Sequence, residues 1–446
     1  MRRLSLFLAA AAMPAAPVAV QPLPAPDASA PAAASSLPAL AEAAARGETE
    51  PLLRALRTER DAEARALIQA WLHGMQLGGG LTVNPELRRL AAEGIAPAKR
   101  MAALTIIAAA AFTDGDYAEA ARVGRTLEQL QKAAGQAQEA GETATARAMA
   151  ELLAPEPRQR VEGEPKQGST SARRDAAGLT RIDLKINGQA QDAVFDTGAN
   201  LSVLSAATAR RLGVRMLGGQ ASVGNSVQTQ VPVQVGIIDR LEIAGTTLRN
   251  VPVLVIADAQ LTFRVAGGYS IPSIVGFPVM RSLGRFTVHA GGTFTVEPTP
   301  RRPDPAAVRN LSAWANELFI EVEVGGIKVP LHLDSGANPS HLNSLFAMRH
   351  PKPLAGLPRE QRRVAGAGGT ATGEAVRWRD VPAEIAGRRF RAPAVLVEVA
   401  RADGRKSPYL GVLGSDVLGL FSSYTIDLRA MRLELGEPRS AAASAK

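Results

Sequence analysis

The hydrophobic pattern changes its period once along the 446-residue chain. Between residues 36 and 154, apolar residues such as Leu52, Leu56 and Leu67 recur at three- and four-residue spacing, which is typical of amphipathic helices. From Leu179 onward the period drops to two, and short Val/Ile/Leu runs alternate with Gly and Asn turns. We therefore predict a helical domain followed by a mainly β region.

One turn in the helical part has a recognisable composition. The segment from Asp114 to Ala120 combines a Gly turn with a helix start and resembles the corner of tetratricopeptide-like helical repeats. A plain helical bundle explains the same pattern, so both interpretations stay open. This domain could recruit substrates, act as an inhibitory pro-region, or mediate assembly with a protein partner.

The β region contains an internal repeat. Asp334 lies 138 residues after Asp196, and Gly414 lies 138 residues after Gly276 (334 minus 196, and 414 minus 276). Between these points, Ile243-Ala244-Gly245 matches Ile385-Ala386-Gly387 at an offset of 142. Two motifs in register predict two similar lobes.

The ends of the chain and its Pro-rich stretches set the remaining boundaries. Met1-Arg2-Arg3 followed by a short apolar run is typical of a signal peptide, and the alternatives are an uncleaved anchor or an accidental Ala-rich start. The expected location is therefore periplasmic or secreted, with no membrane span after signal removal. We predict these ranges: signal peptide 1–20, disordered Pro/Ala segment 21–35, helical domain 36–154, linker 155–178, first lobe 179–298, linker 299–312, second lobe 313–438 and tail 439–446. The first linker carries several Arg and Lys residues, which fit either a processing site or a plain spacer.

The two copies of the repeat each carry one carboxylate on a Gly-containing turn. The first copy has Asp196-Thr197-Gly198-Ala199 and the second has Asp334-Ser335-Gly336-Ala337, each after a hydrophobic run. Two carboxylates held close together share one proton, so the pair can act as both acid and base on a water molecule. Gly198 and Gly336 allow close backbone approach, and the hydroxyls of Thr197 and Ser335 can brace one loop against the other. We predict Asp196 and Asp334 as a catalytic dyad.

Both motifs resemble those of retropepsin-like aspartic proteases. The pattern hydrophobic-hydrophobic-Asp-(Thr/Ser)-Gly-Ala-x-x-Ser-x-Leu fits each copy, and Ile274-Val275-Gly276 and Val412-Leu413-Gly414 resemble the family's late Gly element, which packs behind the catalytic loop. The resemblance implies two tandem six-stranded closed-barrel lobes facing each other around a cleft, and an activity of peptide-bond hydrolysis without metal or organic cofactor. It also implies Gly-rich flap hairpins over the substrate. The flap candidates are Val223, Gly224 and Asn225 in the first lobe and Gly366, Gly368 and Gly369 in the second.

Other interpretations of the same motifs remain open. A pair of lobes that has lost activity could serve as a periplasmic peptide-binding or scaffold protein, capturing extended peptides by strand addition. The lobes could also pair between two chains. His332 lies two residues before Asp334, where it either perturbs the dyad or packs inside the lobe.

Composition excludes several other chemistries. The chain has no Cys, which rules out a thiolate nucleophile, a disulfide and a Cys-ligated metal site. Its five His residues show no metal-binding spacing. The net charge of +9 comes with no nucleic-acid motif, so we expect a protein or peptide substrate and no nucleic acid.

Overall fold

The computed structural model describes residues 5–6, 36–163, 166–225, 231–263, 268–297, 309–366, 369–401 and 407–439. Most of the predicted signal peptide, the segment 21–35, residues 299–308 of the second linker and the tail after 439 lie outside these ranges. The architecture is mainly β with an N-terminal helical region, as the change of period predicts.

Helices that pack against one another form the region before the β lobes. A short strand β1 (Ser5–Leu6) precedes it, and its helices are α1 (Leu37–Ala45), α2 (Thr49–Thr58), α3 (Ala62–Met75), α4 (Pro85–Leu90), α5 (Pro97–Thr113), α6 (Tyr117–Ala133) and α7 (Ala137–Leu153). Asp61 and Asp116 cap two of them by accepting hydrogen bonds from backbone N–H groups of the first turn. Among the described helices, none is long and apolar enough to cross a membrane.

The first lobe is built on a closed six-stranded barrel. Its elements are β2 (Arg160–Val161), β3 (Gly168–Arg174), β4 (Thr180–Ile186), β5 (Gln189–Phe195), β6 (Ser202–Ser205), α8 (Ala206–Arg211), β7 (Arg215–Met216), β8 (Ala221–Asn225), β9 (Val231–Ile243), β10 (Thr246–Ile256), β11 (Thr262–Phe263), β12 (Tyr269–Ser270), β13 (Ser273–Val275), α9 (Phe277–Leu283), β14 (Arg285–His289) and β15 (Thr293–Glu297). The barrel runs β9-β10-β6-β13-β5-β4 and closes where β4 pairs with β9.

The second lobe repeats this arrangement. Its elements are β16 (Leu311–Trp314), β17 (Glu317–Val324), β18 (Ile327–Leu333), β19 (His341–Leu342), α10 (Ser344–Arg349), β20 (Arg359–Gly366), β21 (Gly369–Ile385), β22 (Arg388–Arg401), β23 (Gly411–Leu413), α11 (Ser415–Leu418), β24 (Ser423–Asp427) and β25 (Arg432–Leu435). The sheet runs β17-β18-β23-β19-β22-β21 and closes where β17 pairs with β21. The lobe's apolar core is continuous with that of the first lobe.

The two lobes of one chain are joined by a shared sheet. Its strands run β3-β15-β14-β24-β25, and β14 of the first lobe pairs antiparallel with β24 of the second. At its centre the hydroxyls of Thr287 and Thr425 lie 2.7 Å apart, again at an offset of 138. The shared sheet therefore contains strands from both lobes.

Much of the segment 155–178 is folded into the first lobe, which differs from the predicted linker. β2 pairs with β10, and β3 belongs to the shared sheet. Gln159 Nε2 donates hydrogen bonds to Pro278 O and Ser282 Oγ, both at 2.8 Å. The prolines and charges of this segment mask its strands in the sequence, since the strands gain partners only in the folded lobe.

The helical domain packs against both lobes. Met149 and Leu153 of α7 share an apolar cluster with Leu201 and Val223 of the first lobe. Leu40 and Trp71 belong to a cluster that includes three aromatic residues of the second lobe, namely Trp314, Phe319 and Tyr409. Polar contacts border these clusters, including Arg281 to Asp114 at 2.6 Å and Arg349 to Glu48 at 2.7 Å. The domain is therefore an integral part of the described fold.

Candidate active site

The two Asp-containing loops meet at the centre of the interface between the lobes. Asp196 directly follows β5, and Asp334 directly follows β18. Their backbone N–H groups donate to Val275 O at 3.1 Å and to Leu413 O at 3.0 Å. Both side chains are buried, with exposures of 0% and 1%. Each loop thus begins at an equivalent point of its own barrel.

The hydroxyl residues next to the carboxylates bind the opposite loop. Thr197 Oγ1 accepts from Ser335 N at 2.9 Å and donates to Leu333 O at 2.7 Å. Ser335 Oγ accepts from Thr197 N at 3.1 Å and donates to Phe195 O at 2.7 Å. Four buried hydrogen bonds therefore fix the loops relative to each other with nearly two-fold symmetry.

Each carboxylate lies against the glycine of the other loop. Asp196 Oδ1 accepts from Gly198 N and Asp334 Oδ1 accepts from Gly336 N, both at 2.9 Å. A Cβ built on Gly198 would lie 2.5 Å from Cγ of Asp334, and one on Gly336 would lie 2.4 Å from Cγ of Asp196. Only glycine leaves room for this crossing, which brings the two carboxyl groups together.

Burial and proximity shift the acidity of both carboxyl groups. Burial raises the pKa of Asp196 to about 6, while hydrogen bonds from Asp334 and the loop N–H groups oppose the rise. Burial, and then the negative charge of Asp196, raise the pKa of Asp334 well above its ordinary value. Both shifts favour a pair that keeps one proton, so the two carboxyl groups titrate as a unit.

The late glycines pack directly behind the loops. A Cβ on Gly276 would lie 2.5 Å from Leu201 C, and one on Gly414 would lie 2.4 Å from Ala337 O. The N–H groups of the next residues donate to Ala199 O and Ala337 O, both at 2.8 Å. This packing holds Ala199 and Ala337 buried beneath the carboxylates.

Two serines of the repeated motif complete this support. Ser202 Oγ accepts from Gly276 N at 3.1 Å, and Ser340 Oγ accepts from Gly414 N at 2.8 Å. In the second lobe Ser340 also donates to Asp416 Oδ1 at 2.6 Å. The motif contains both serines, but their bonding role becomes visible only once the late glycines are placed beside them.

The flap candidates lie on two β-hairpins, one in each lobe. Val223, Gly224 and Asn225 belong to β8, which pairs with the start of β9, and β1 pairs with β8 at Gly224 and Asn225. Gly366 and Gly369 form the last rung of the hairpin of β20 and β21. Gly368 and the tip 226–230 lie outside the described residues. Val223 is buried against the helical domain, a contact that the sequence pattern does not reveal.

His332 packs among aromatic rings. It stacks on Tyr409 with ring centroids 4.8 Å apart and meets Phe319 edge-on at 5.7 Å. Burial lowers the pKa of His332 to about 3, so the ring stays neutral. Of the two interpretations of this residue, the structure has the packed one. Within the described residues, no cluster of three or more His, Asp or Glu side chains is arranged to hold a metal ion.

Comparison with known proteins assigns a family to the first lobe. Residues 182–279 match a family model described as aspartyl protease, a range that contains Asp196 and Gly276. A comparison with curated proteins finds no match. The family match, the closed barrel and the Asp-Thr-Gly-Ala loop all indicate the same kind of domain. The first lobe is therefore similar to the aspartyl protease family over residues 182–279.

Proposed function

We propose that the chain is an exported aspartic endopeptidase in which Asp196 and Asp334 activate one water molecule. The observation that carries this proposal is the reciprocal hydrogen bonding of Thr197 and Ser335, which positions the two loops as equivalent halves of one site. The raised pKa values of both groups support a pair that shares one proton, so that one group is an acid while the other is a carboxylate able to accept a proton.

The chemistry follows from this asymmetry. The Asp196 carboxylate takes a proton from water while the water oxygen bonds to the scissile carbonyl carbon, and the Asp334 carboxyl gives its proton to the carbonyl oxygen. The resulting gem-diol collapses as a proton from Asp196 passes to the amide nitrogen and the C–N bond breaks. A gem-diol hydroxyl returns its proton to Asp334, which restores the starting state.

Export is part of the proposal and rests on the N-terminal sequence. A basic start and a short apolar run are typical of a secretory signal, which suggests a periplasmic or secreted enzyme. Removal of residues 1–20 would take away β1, which pairs with β8 at Gly224 and Asn225, and would keep the helical domain and both barrels.

The experiment is incubation of the purified chain with an unfolded protein, followed by product sequencing. We expect internal cleavage, inhibition by pepstatin-type or retroviral-type inhibitors, and loss of cleavage in the Asp196→Asn variant. Thermal unfolding of that variant controls for folding. Cleavage that is undiminished in Asp196→Asn would refute the assignment, and tight peptide binding without cleavage by the unaltered chain would favour a binding protein.

A further inference from the structure

The second lobe contains a buried arginine that the proposed reaction does not use. Arg362 lies on β20 and is only 8% exposed. Its Nε and Nη1 atoms have no hydrogen-bond partner, and its ion pair with Glu398 spans 3.8 Å, which is longer than a hydrogen bond. Buried guanidinium N–H groups normally have hydrogen-bond partners, and a buried donor without a partner costs free energy of folding.

Arg362 lies on the hairpin that carries the flap candidates of the second lobe. It pairs with Gly373 across the hairpin of β20 and β21, four rungs from the last rung at Gly366 and Gly369. Gly373 has no side chain, and its backbone lies against β22. A Cβ there would lie 2.5 Å from Ala400 O of β22, so the hairpin packs closely on that strand.

The strand that follows the Asp334 loop brings a histidine close to Arg362. His341 lies on β19, seven residues after Asp334, and β19 pairs with β22. Burial lowers the pKa of His341 to about 3, and the charges of Arg362 and Arg401 lower it further. The imidazole therefore stays neutral beside the two guanidinium groups. Burial likewise lowers the pKa of Arg362, against the opposing effect of Glu398.

We propose that Arg362 forms a subsite that binds a carboxylate of the peptide substrate, so that it is a specificity-determining residue for acidic sequences. A substrate carboxylate can accept a charge-assisted hydrogen bond from one of the two buried donors, Nε or Nη1, that have no partner in the folded chain. This inference rests on the proposed peptidase function for its substrate and extends it to the substrate's chemical class.

The test is a set of peptides in which each position flanking the scissile bond carries Glu or Gln in turn. At one position we expect kcat/KM to be about tenfold or more higher with Glu, because hydrogen bonds to charged groups are the stronger kind. Arg362→Gln should abolish that preference while cleavage of neutral peptides persists, and Arg362→Lys should keep part of it. A second peptide pair with a free or amidated C-terminus distinguishes a side-chain carboxylate from a terminal one.

Arg377→Gln is the matched control. Arg377 lies on the same hairpin but is exposed and already paired with Glu360 at 2.6 Å. The Arg377→Gln substitution should leave the preference for Glu over Gln peptides unchanged. Cleavage with no preference for a carboxylate at any position, or a preference unaffected by Arg362→Gln, would overturn the subsite.

A binding measurement separates this inference from the peptidase proposal. Fluorescence anisotropy with labelled Glu and Gln peptides on the Asp196→Asn protein does not require catalysis. A Glu preference that disappears on adding Arg362→Gln would support the subsite even if the unaltered chain cleaved nothing. Equal binding of both peptides would contradict it.

Discussion

Thr197 and Ser335 exchange hydrogen bonds across the lobe interface, each hydroxyl accepting from the backbone N–H of the other residue. Each hydroxyl also donates to the carbonyl oxygen just before the opposite Asp. Neither lobe can satisfy these groups alone, because every bond crosses between the lobes. The relative position of the two carboxylates is therefore fixed by a pair of hydroxyl groups.

Removing one of these hydroxyls should loosen the site. Thr197→Val keeps the side-chain shape but leaves Ser335 N and Leu333 O unsatisfied in a buried place. We expect a loss of about 1–3 kcal/mol in the free energy of unfolding, measured by urea denaturation, together with reduced kcat. Thr197→Ser retains the hydroxyl and should stay close to the unaltered protein. Equal effects of the two substitutions would show that the hydroxyl is not responsible.

The raised pKa of Asp196 predicts the acid limb of the pH profile. Activity requires one proton on the pair, so kcat/KM should fall as pH drops through about 6, where Asp196 becomes protonated. The limb should approach a slope of about tenfold per pH unit. Stopped assays in constant-ionic-strength buffers measure it. An acid limb with its midpoint near 3.8, the ordinary Asp value, would contradict the buried dyad.

The same shifts predict how stability depends on pH. Because the folded-state pKa of each carboxyl is raised, the dyad's contribution is fully present below about pH 3.8 and is lost as pH rises through about 6 and then through the pKa of Asp334. Asp334→Asn removes a buried carboxyl whose ionisation the folded state disfavours, so it should raise Tm at pH 8 and change it less at pH 4. Asp239→Asn, at an exposed site, should shift Tm little at either pH. A lowered Tm for Asp334→Asn at pH 8 would contradict the predicted sign.

The late glycine of the first lobe offers a steric test. Gly276→Ala would place a Cβ 2.5 Å from Leu201 C, against backbone that cannot move without displacing the Asp196 loop. We expect about 1–3 kcal/mol of destabilisation and a lower kcat. Gly291→Ala, where nothing lies within 4 Å, is the control and should be nearly neutral. Full activity in Gly276→Ala would show that the loop tolerates displacement.

The helical domain should be required for a folded enzyme. Removing residues 1–154 would expose the apolar surface around Leu201 and Val223, so we expect aggregation and loss of activity, whereas an inhibitory pro-region would give increased activity. A milder change, Met149→Ala, removes a fully buried contact and should cost about 2–5 kcal/mol. Leu53→Ala, at a residue 40% exposed, is its control. Thermal unfolding and peptide cleavage measure both.

The local sequence pattern predicts well those parts of the fold that occur in both lobes. The period of two and the offset of 138 predict two similar lobes, and both barrels close through equivalent strands. The Asp-(Thr/Ser)-Gly phrase predicts that the hydroxyls brace the loops. These features recur in both copies, so the repeat itself reveals them.

The features that the sequence pattern does not predict depend on contacts with residues that are distant in the sequence. The strands of segment 155–178 form because they pair with β10 and β15. The prolines and charges of the segment do not indicate these pairings. Arg362 lies in a run rich in charged residues that is typical of a solvated strand, yet the fold buries it. The docking surface for α7 likewise forms only when β8 and β9 come together.

The most direct test of the central claim is a double-mutant cycle on the two carboxylates. It compares kcat/KM on one peptide for the unaltered chain, Asp196→Asn, Asp334→Asn and the double variant, with folding checked by thermal unfolding. If both lobes contribute to one site, each single substitution lowers kcat/KM by roughly 10³-fold or more, and the double variant is little worse, since residues that act as a unit are non-additive. If each single variant keeps about half of the activity and only the double variant loses it, the lobes act independently and the shared dyad is wrong.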